Sequence, residues 1–134
     1  MTAQALECFT TGVLPAELRF CSAVRVGDLV FVSGNIGNVA GEVTLVEGGV
    51  AAETRQCLEH MKTGLEAADS AVDRVVEGTV FPADIADFQA VNEVYAAYFG
   101  GHRPARSTVA VNAVAVNALA ASAQVEIECI ALAG

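Results

Sequence analysis

Residues 50–69 hold the most restrictive pattern in the chain. Val50, Thr54, Cys57, Leu58, Met61, Leu65 and Ala68 recur at the i, i+3, i+4, i+7 spacing of one helix face. Glu53, Arg55, Glu59, Lys62 and Glu66 fall on the wet side, and His60, beside the stripe, reads as a partly exposed surface residue. A helix with one apolar stripe must lay it on another apolar layer. The flanking segments supply that layer as strands.

Phe20–Val26 and Leu29–Ser33 are β-runs meeting at Gly27-Asp28, where glycine in first place favours a type II′ turn. The second run is apolar on both faces, as a strand covered on both sides would be. A short edge strand is expected near Glu7–Thr10, with loop from Gly12 to Pro15 and a Gly-rich loop through Gly37, Gly41, Gly48 and Gly49. Val72–Phe81 is the next strand, with Val76, Gly78 and Val80 on one face, and Pro82-Ala83-Asp84 stops it. A second helix spans about Ile85–Phe99, with Phe88, Val91, Tyr95, Tyr98 and Phe99 as its apolar side. Asp84 and Asp87 suit its N-terminal end, and Gly100-Gly101 its stop. Pro104 leads into a strand from Arg106, Asn112–Ala121 has no usable pattern, and Gln124–Leu132 closes the chain as a strand. The expected order is β-β-β-α-β-α-β-β, a single α+β domain over residues 1–134 with a mixed β-sheet and two helices on one face.

The sheet's other face is too apolar for water in a chain that is 54% hydrophobic and 17% charged, so packing against further subunits is expected. The net charge of −9 and scattered basic residues oppose nucleic-acid binding, which depends on Lys and Arg at phosphates. No apolar run reaches the length of a membrane span, and Met1–Glu7 lacks the features of a signal peptide. The expectation is a cytoplasmic protein without membrane partners. Cys8, Cys21, Cys57 and Cys129 show no CxxC spacing and read as buried, reduced thiols.

Alternation places Arg106, Thr108 and Ala110 on one side of their strand and Ser107, Val109 and Val111 on the other, the valine side facing the core. A buried guanidinium needs an anion or water. The histidines, His60 and His102, lie near no nucleophile motif, and the sequence has no HExxH, CxxC, calcium loop, Walker loop or GxGxxG. That leaves no metal and no cofactor to expect. Arg106 and Glu126 remain, both read on the face away from the helices. Two readings stay open: arginine binds a substrate carboxylate while glutamate orients water, or the pair forms a structural salt bridge. Gly34 is either plain turn chemistry or a close backbone approach to a ligand. Asn92 is either solvated or bonded to a neighbouring loop.

Gly27–Asn35, Thr79-Val80-Phe81, Asp87–Tyr95 with Tyr98-Phe99, Pro104–Val109 and Val125–Ala131 together resemble the RidA/YjgF family of reactive-intermediate imine deaminases, also labelled endoribonuclease L-PSP. The likeness covers about residues 18–132. It implies a chorismate-mutase-like α+β subunit in a homotrimer, with clefts between subunits where 2-imino acids or their enamine tautomers are hydrolysed to 2-keto acids and ammonia. It further implies Arg106 on the substrate carboxylate and Glu126 on the attacking water. Phe20, Ser33, Gly34, Asn35, Asn92, Ser107 and Thr108 would bind substrate or support the pocket. This chain departs from the family in four places. Phe20 stands where a tyrosine is usual, Asn35 where a glutamine is, and Thr108 where a cysteine is frequent. The loop before Pro104 is short and brings in Arg103. The departures leave room for a smaller or more polar imine or a pathway-specific compound such as an aminomuconate. They also leave room for a non-catalytic protein, a carboxylate binder or holdase, using the same cleft.

Overall fold

Gly27 adopts φ 57°, the left-handed value the expected turn requires, and so joins β2 (Ala23–Val26) to β3 (Leu29–Asn35). The structure is a computed structural model and describes residues 5–111 and 122–134; the unpatterned Asn112–Ala121 segment lies outside the described residues. The remaining elements are β1 (Leu6–Phe9), α1 (Gly49–Ala67), β4 (Val75–Pro82), α2 (Phe88–Phe99), β5 (Ala105–Thr108) and β6 (Val125–Leu132), in the order expected from the sequence. Single 3₁₀ turns precede β4 at Val72–Arg74 and α2 at Ile85–Asp87. The Asp84 carboxylate caps the second of these turns by accepting from the Ala86 N–H at 2.9 Å.

Among the described residues the strands form one six-stranded sheet in the order β1-β2-β3-β6-β4-β5. β5 is an edge strand and runs parallel to β4; every other pairing is antiparallel. Both helices cover one face. The stripe of Cys57, Leu58, Met61 and Leu65 meets Val30, Val32, Val125, Ile127 and Cys129, and Val91, Tyr95 and Phe99 of α2 complete the same cluster. Side chains leave a strand alternately. The opposite face therefore carries Val24, Phe31, Glu77, Thr79, Phe81, Glu126, Glu128 and Ile130, with no helix over it among the described residues. Leu29, Phe31 and Leu132 are exposed there. Among the described residues, no helix is long and apolar enough to cross a membrane.

Four local expectations change. Between Val75 and Glu77 the β4–β6 register shifts, so Val75 instead of Val76 joins Gly78 and Val80 in the core, and Val76 is exposed. Glu53, read as a wet-side residue, is buried, and its carboxylate accepts the Gln124 N–H at 2.9 Å. Burial pushes this carboxyl above the ordinary range, and the hydrogen bond pulls the other way. His60 is also buried, with its Nε2 2.8 Å from the Asn38 carbonyl oxygen. Cys8 and Cys21 form a disulfide, their Cα atoms 5.5 Å apart, so only Cys57 and Cys129 are free, buried thiols. Antiparallel pairing of β1 with β2 brings the two half-cystines together from 13 residues apart, a relation that spacing motifs do not encode.

Candidate active site

Arg106 lies on the helix side of the sheet, not on the open face. It stands opposite Gly78, which stands opposite the buried Cys129, so all three share the covered side. Its Nη1 donates to Asn92 Oδ1 at 2.7 Å, and the guanidinium stacks 4.9 Å from the Tyr95 ring centre and 5.7 Å from that of Phe88. Val109, assigned to the core, is instead 47% exposed. A long stem with a planar cation can tuck beneath α2 at the sheet's edge and still reach water, which a valine cannot exploit. Gly78 gives the aromatic support its height. A Cβ there would come within 2.7 Å of the Tyr95 hydroxyl, which is buried and has no partner among the described residues. Burial pushes that phenol up to about 12.

Glu126 projects from the opposite face. It pairs with Phe81, three positions along β6 from Cys129. Two strand spacings and three residues of rise put its Cα roughly 14 Å from that of Arg106. The two groups therefore cannot form the salt bridge left open by the sequence, nor act together within one chain. Glu126 is partly buried, and among the described residues no donor reaches it. Burial, and then the neighbouring Glu128, hold its carboxyl above the usual range. Arg106 likewise has no carboxylate within salt-bridge distance among the described residues.

Gly34 lies directly beneath Glu126, where a Cβ would run into the carboxylate. Packing of the Glu126 side chain on the bare backbone thus accounts for the glycine, a reason that neither reading of the sequence named. Gly34→Ala is expected to fold normally, because the obstructed atoms end a flexible side chain, but to lose most activity as the carboxylate is pushed aside. Thermal melts beside turnover measurements check this. Phe20, Ser33 and Asn35 line one hollow of about 230 Å³. The Ser33 hydroxyl donates to the Cys21 carbonyl at 2.6 Å, and the buried Asn35 amide donates to the Ser33 carbonyl at 3.0 Å. Thr108 shares the side of Arg106, and Ser107 faces the other way, exposed.

The expected residues thus form two groups: Arg106, Asn92 and Thr108 at the β5 edge, and Glu126, Gly34, Ser33, Asn35 and Phe20 at the end of β3 and β6. Sequence reasoning left Tyr95 as core and missed its role beneath Arg106. The isolated Gly78 between strand valines was the available signal of close approach.

A sequence model of the family described as Endoribonuclease L-PSP matches residues 11–133. The chain belongs to this family. The Endoribonuclease L-PSP family is the RidA/YjgF family that the sequence resembles. The Rattus norvegicus protein named 2-iminobutanoate/2-iminopropanoate deaminase is 40% identical over 129 residues, 96% of this chain and 90% of that protein. Among solved structures, that of YEO7_yeast superposes with a TM-score of 0.87 at 38% identity, covering 97% of this chain and 100% of that one. The structure titled E. coli TdcF with bound serine gives 0.81 at 30% identity, covering 96% and 99%.

The raised Glu126 carboxyl gives activity and stability opposite dependences on pH. In the role that the family resemblance implies, Glu126 accepts a proton from water and must be ionised, so activity is expected to fall on acidification at a higher pH than an ordinary glutamate would set. The folded chain binds this proton more tightly than the unfolded chain does. Stability therefore declines as pH rises through the interval between the ordinary and raised values. Glu126→Gln should be inactive yet melt at a higher temperature than wild type at neutral pH. A pH–rate profile and paired melts check both signs.

Proposed function

We propose that the protein hydrolyses 2-imino acids and their enamine tautomers to 2-keto acids and ammonia in a cleft between copies of the chain, without a cofactor. One observation carries this reading: neither Arg106 nor Glu126 has an oppositely charged partner among the described residues, and they lie on opposite faces of the sheet. An incompletely paired, partly buried carboxylate and guanidinium both need a partner from outside. The open face presents Glu77, Glu126 and Glu128 among apolar side chains, with no basic residue among its strand positions. The β5 edge presents the cation. A contact between the acidic face of one copy and the basic edge of the next is head-to-tail, and such contacts form a ring where the rotation between copies closes. A homotrimer is the ring that the family resemblance implies.

In that cleft Arg106, steadied by Asn92 and the Tyr95 ring, holds the substrate carboxylate by charge-assisted hydrogen bonds. Glu126 of the adjoining copy accepts a proton from water as the oxygen attacks the imine carbon. The nitrogen takes the proton back from the Glu126 carboxyl and a second from the adduct's hydroxyl, and the C–N bond breaks as the C=O bond forms, releasing ammonia and leaving the keto acid. Holding water and imine in register is a proximity effect. Gly34 lets the substrate come against the β3 backbone, with Ser33, Asn35 and Phe20 beyond it and the backbone of Ser107 and Thr108 beside the carboxylate. The names of the relatives support this reaction class; the charge of −9 and the acidic open face argue against RNA as substrate. The test adds the protein to imine generated by an amino-acid oxidase. Faster loss of imine, with keto acid and ammonia appearing, is expected. A ligand-dependent thermal shift without turnover would make the protein a carboxylate binder instead.

A further inference from the structure

The hollow beside Ser33 and Asn35 has an outer wall that its own composition does not hold in place. Val13, Leu14, Pro15 and Leu18 form that wall, with Phe20 completing an apolar lining. Within it, order comes only from the 3₁₀ turn Ala16–Leu18, which ends on Arg19 at φ 61°. One end of the wall is fastened by the Cys8–Cys21 disulfide and by Thr11, whose N–H and hydroxyl lie 3.1 and 3.0 Å from Ser22 Oγ.

The middle is fastened by Asn38. Its Nδ2 donates to the Val13 carbonyl at 2.6 Å and also lies 2.8 Å from the Glu42 carbonyl and 3.1 Å from that of Val39. The Gly41 N–H reaches the same Val13 oxygen at 3.0 Å. Behind Asn38, the His60 Nε2–H donates to its main-chain carbonyl, tying the assembly to α1. Asn38 is 1% exposed, and its Oδ1 has no partner among the described residues. An unsatisfied buried amide oxygen is a cost, and the return on it is the set of carbonyls gathered by the Nδ2 side.

We propose that Asn38 is a positioning residue that sets the width of this hollow, and that the hollow takes the side chain of a 2-imino acid bearing a medium-sized apolar group. The inference rests on the deaminase reading for the reaction, but not for the binding it describes. The wall offers methyl and methylene surface and no charged side chain, so acidic side chains are disfavoured there. A wall released at Val13 loses its fit to a branched side chain while leaving Arg106 and Glu126 untouched.

The experiment compares wild type with Asn38→Ala on imines derived from leucine and from alanine. The expected result is a fall of about tenfold in kcat/KM for the leucine-derived imine, the low end of what one methylene in an apolar pocket is worth. The fall lies in KM, and the alanine-derived imine changes less than about twofold. Equal losses on both substrates, or no change on either, would overturn the proposal. If wild type turns over neither imine, the deaminase reading fails, and binding of 4-methyl-2-oxopentanoate against pyruvate decides the point on its own. Asn38→Ala should then lose the thermal shift given by the branched keto acid and keep that given by pyruvate; no branched-acid shift in wild type overturns it. Should Asn38→Ala not fold, Leu18→Trp fills the hollow directly, and an unchanged leucine-to-alanine rate ratio in that variant would also overturn it.

Discussion

Arg106→Ala and Glu126→Gln, each inactive alone, are expected to recover about a quarter of the wild-type rate when the two chains are co-expressed in equal amounts as mixed rings. The reason is geometric. Within one chain the guanidinium lies under α2 at the sheet edge and the carboxylate projects from the opposite face. In the proposed head-to-tail ring, each site would take Arg106 from one copy and Glu126 from the next. Random mixing makes the required neighbour pair, intact arginine beside intact glutamate, in about one site in four. Activity is assayed on purified hetero-oligomers, with chain composition read by mass spectrometry. Mixed rings that stay inactive would sink the shared site, because substitutions confined to one chain cannot complement.

Gly37→Ala should be strongly destabilising although it adds a single carbon. A Cβ at Gly37 would lie 2.5 Å from Glu53 Cα, 2.7 Å from its Cβ and 2.8 Å from its carbonyl oxygen. These are backbone and near-backbone atoms of α1, so no rotamer change relieves the clash. The loop or the helix must move, at a cost of about 3 kcal/mol. For a chain of this size that is roughly 10 °C in Tm. Moving α1 there also strains the Glu53 contact with Gln124. Gly101→Ala, with open space around its added carbon, is the matched control and should melt with wild type. Equal Tm values for the two variants would refute the packing described between this loop and α1.

Element order was legible because it rests on apolar periodicity. The stripe from Val50 to Ala68 and the alternation along Val125–Leu132 each extend far enough for the period to be unmistakable. Arg106 was placed on the wrong face because its strand has four residues and ends at the sheet edge. Too few alternating positions remain there, and an arginine stem packs under a helix as readily as it meets water. Val76 was misplaced because a register shift changes the parity of everything before it. Glu53 and His60 read as wet because periodicity marks apolar residues only. Their burial depends on Gln124 and Asn38, which come from distant parts of the chain. The disulfide escaped for the same reason: its partners meet only after β1 and β2 pair. In the candidate site, Arg106 and Glu126 were reached by elimination and the other candidates through the family resemblance, whereas their division between two faces required the sheet.

Gly78 carries a consequence for how the protein tolerates change. Tyr95 rests on the bare backbone at that position, and the arginine rests on Tyr95. Any side chain introduced there would tilt this aromatic shelf and swing the cation off target from a full residue width away. A substitution scan scored by turnover would rank position 78 with the reactive groups, although a substrate in the cleft would never touch it.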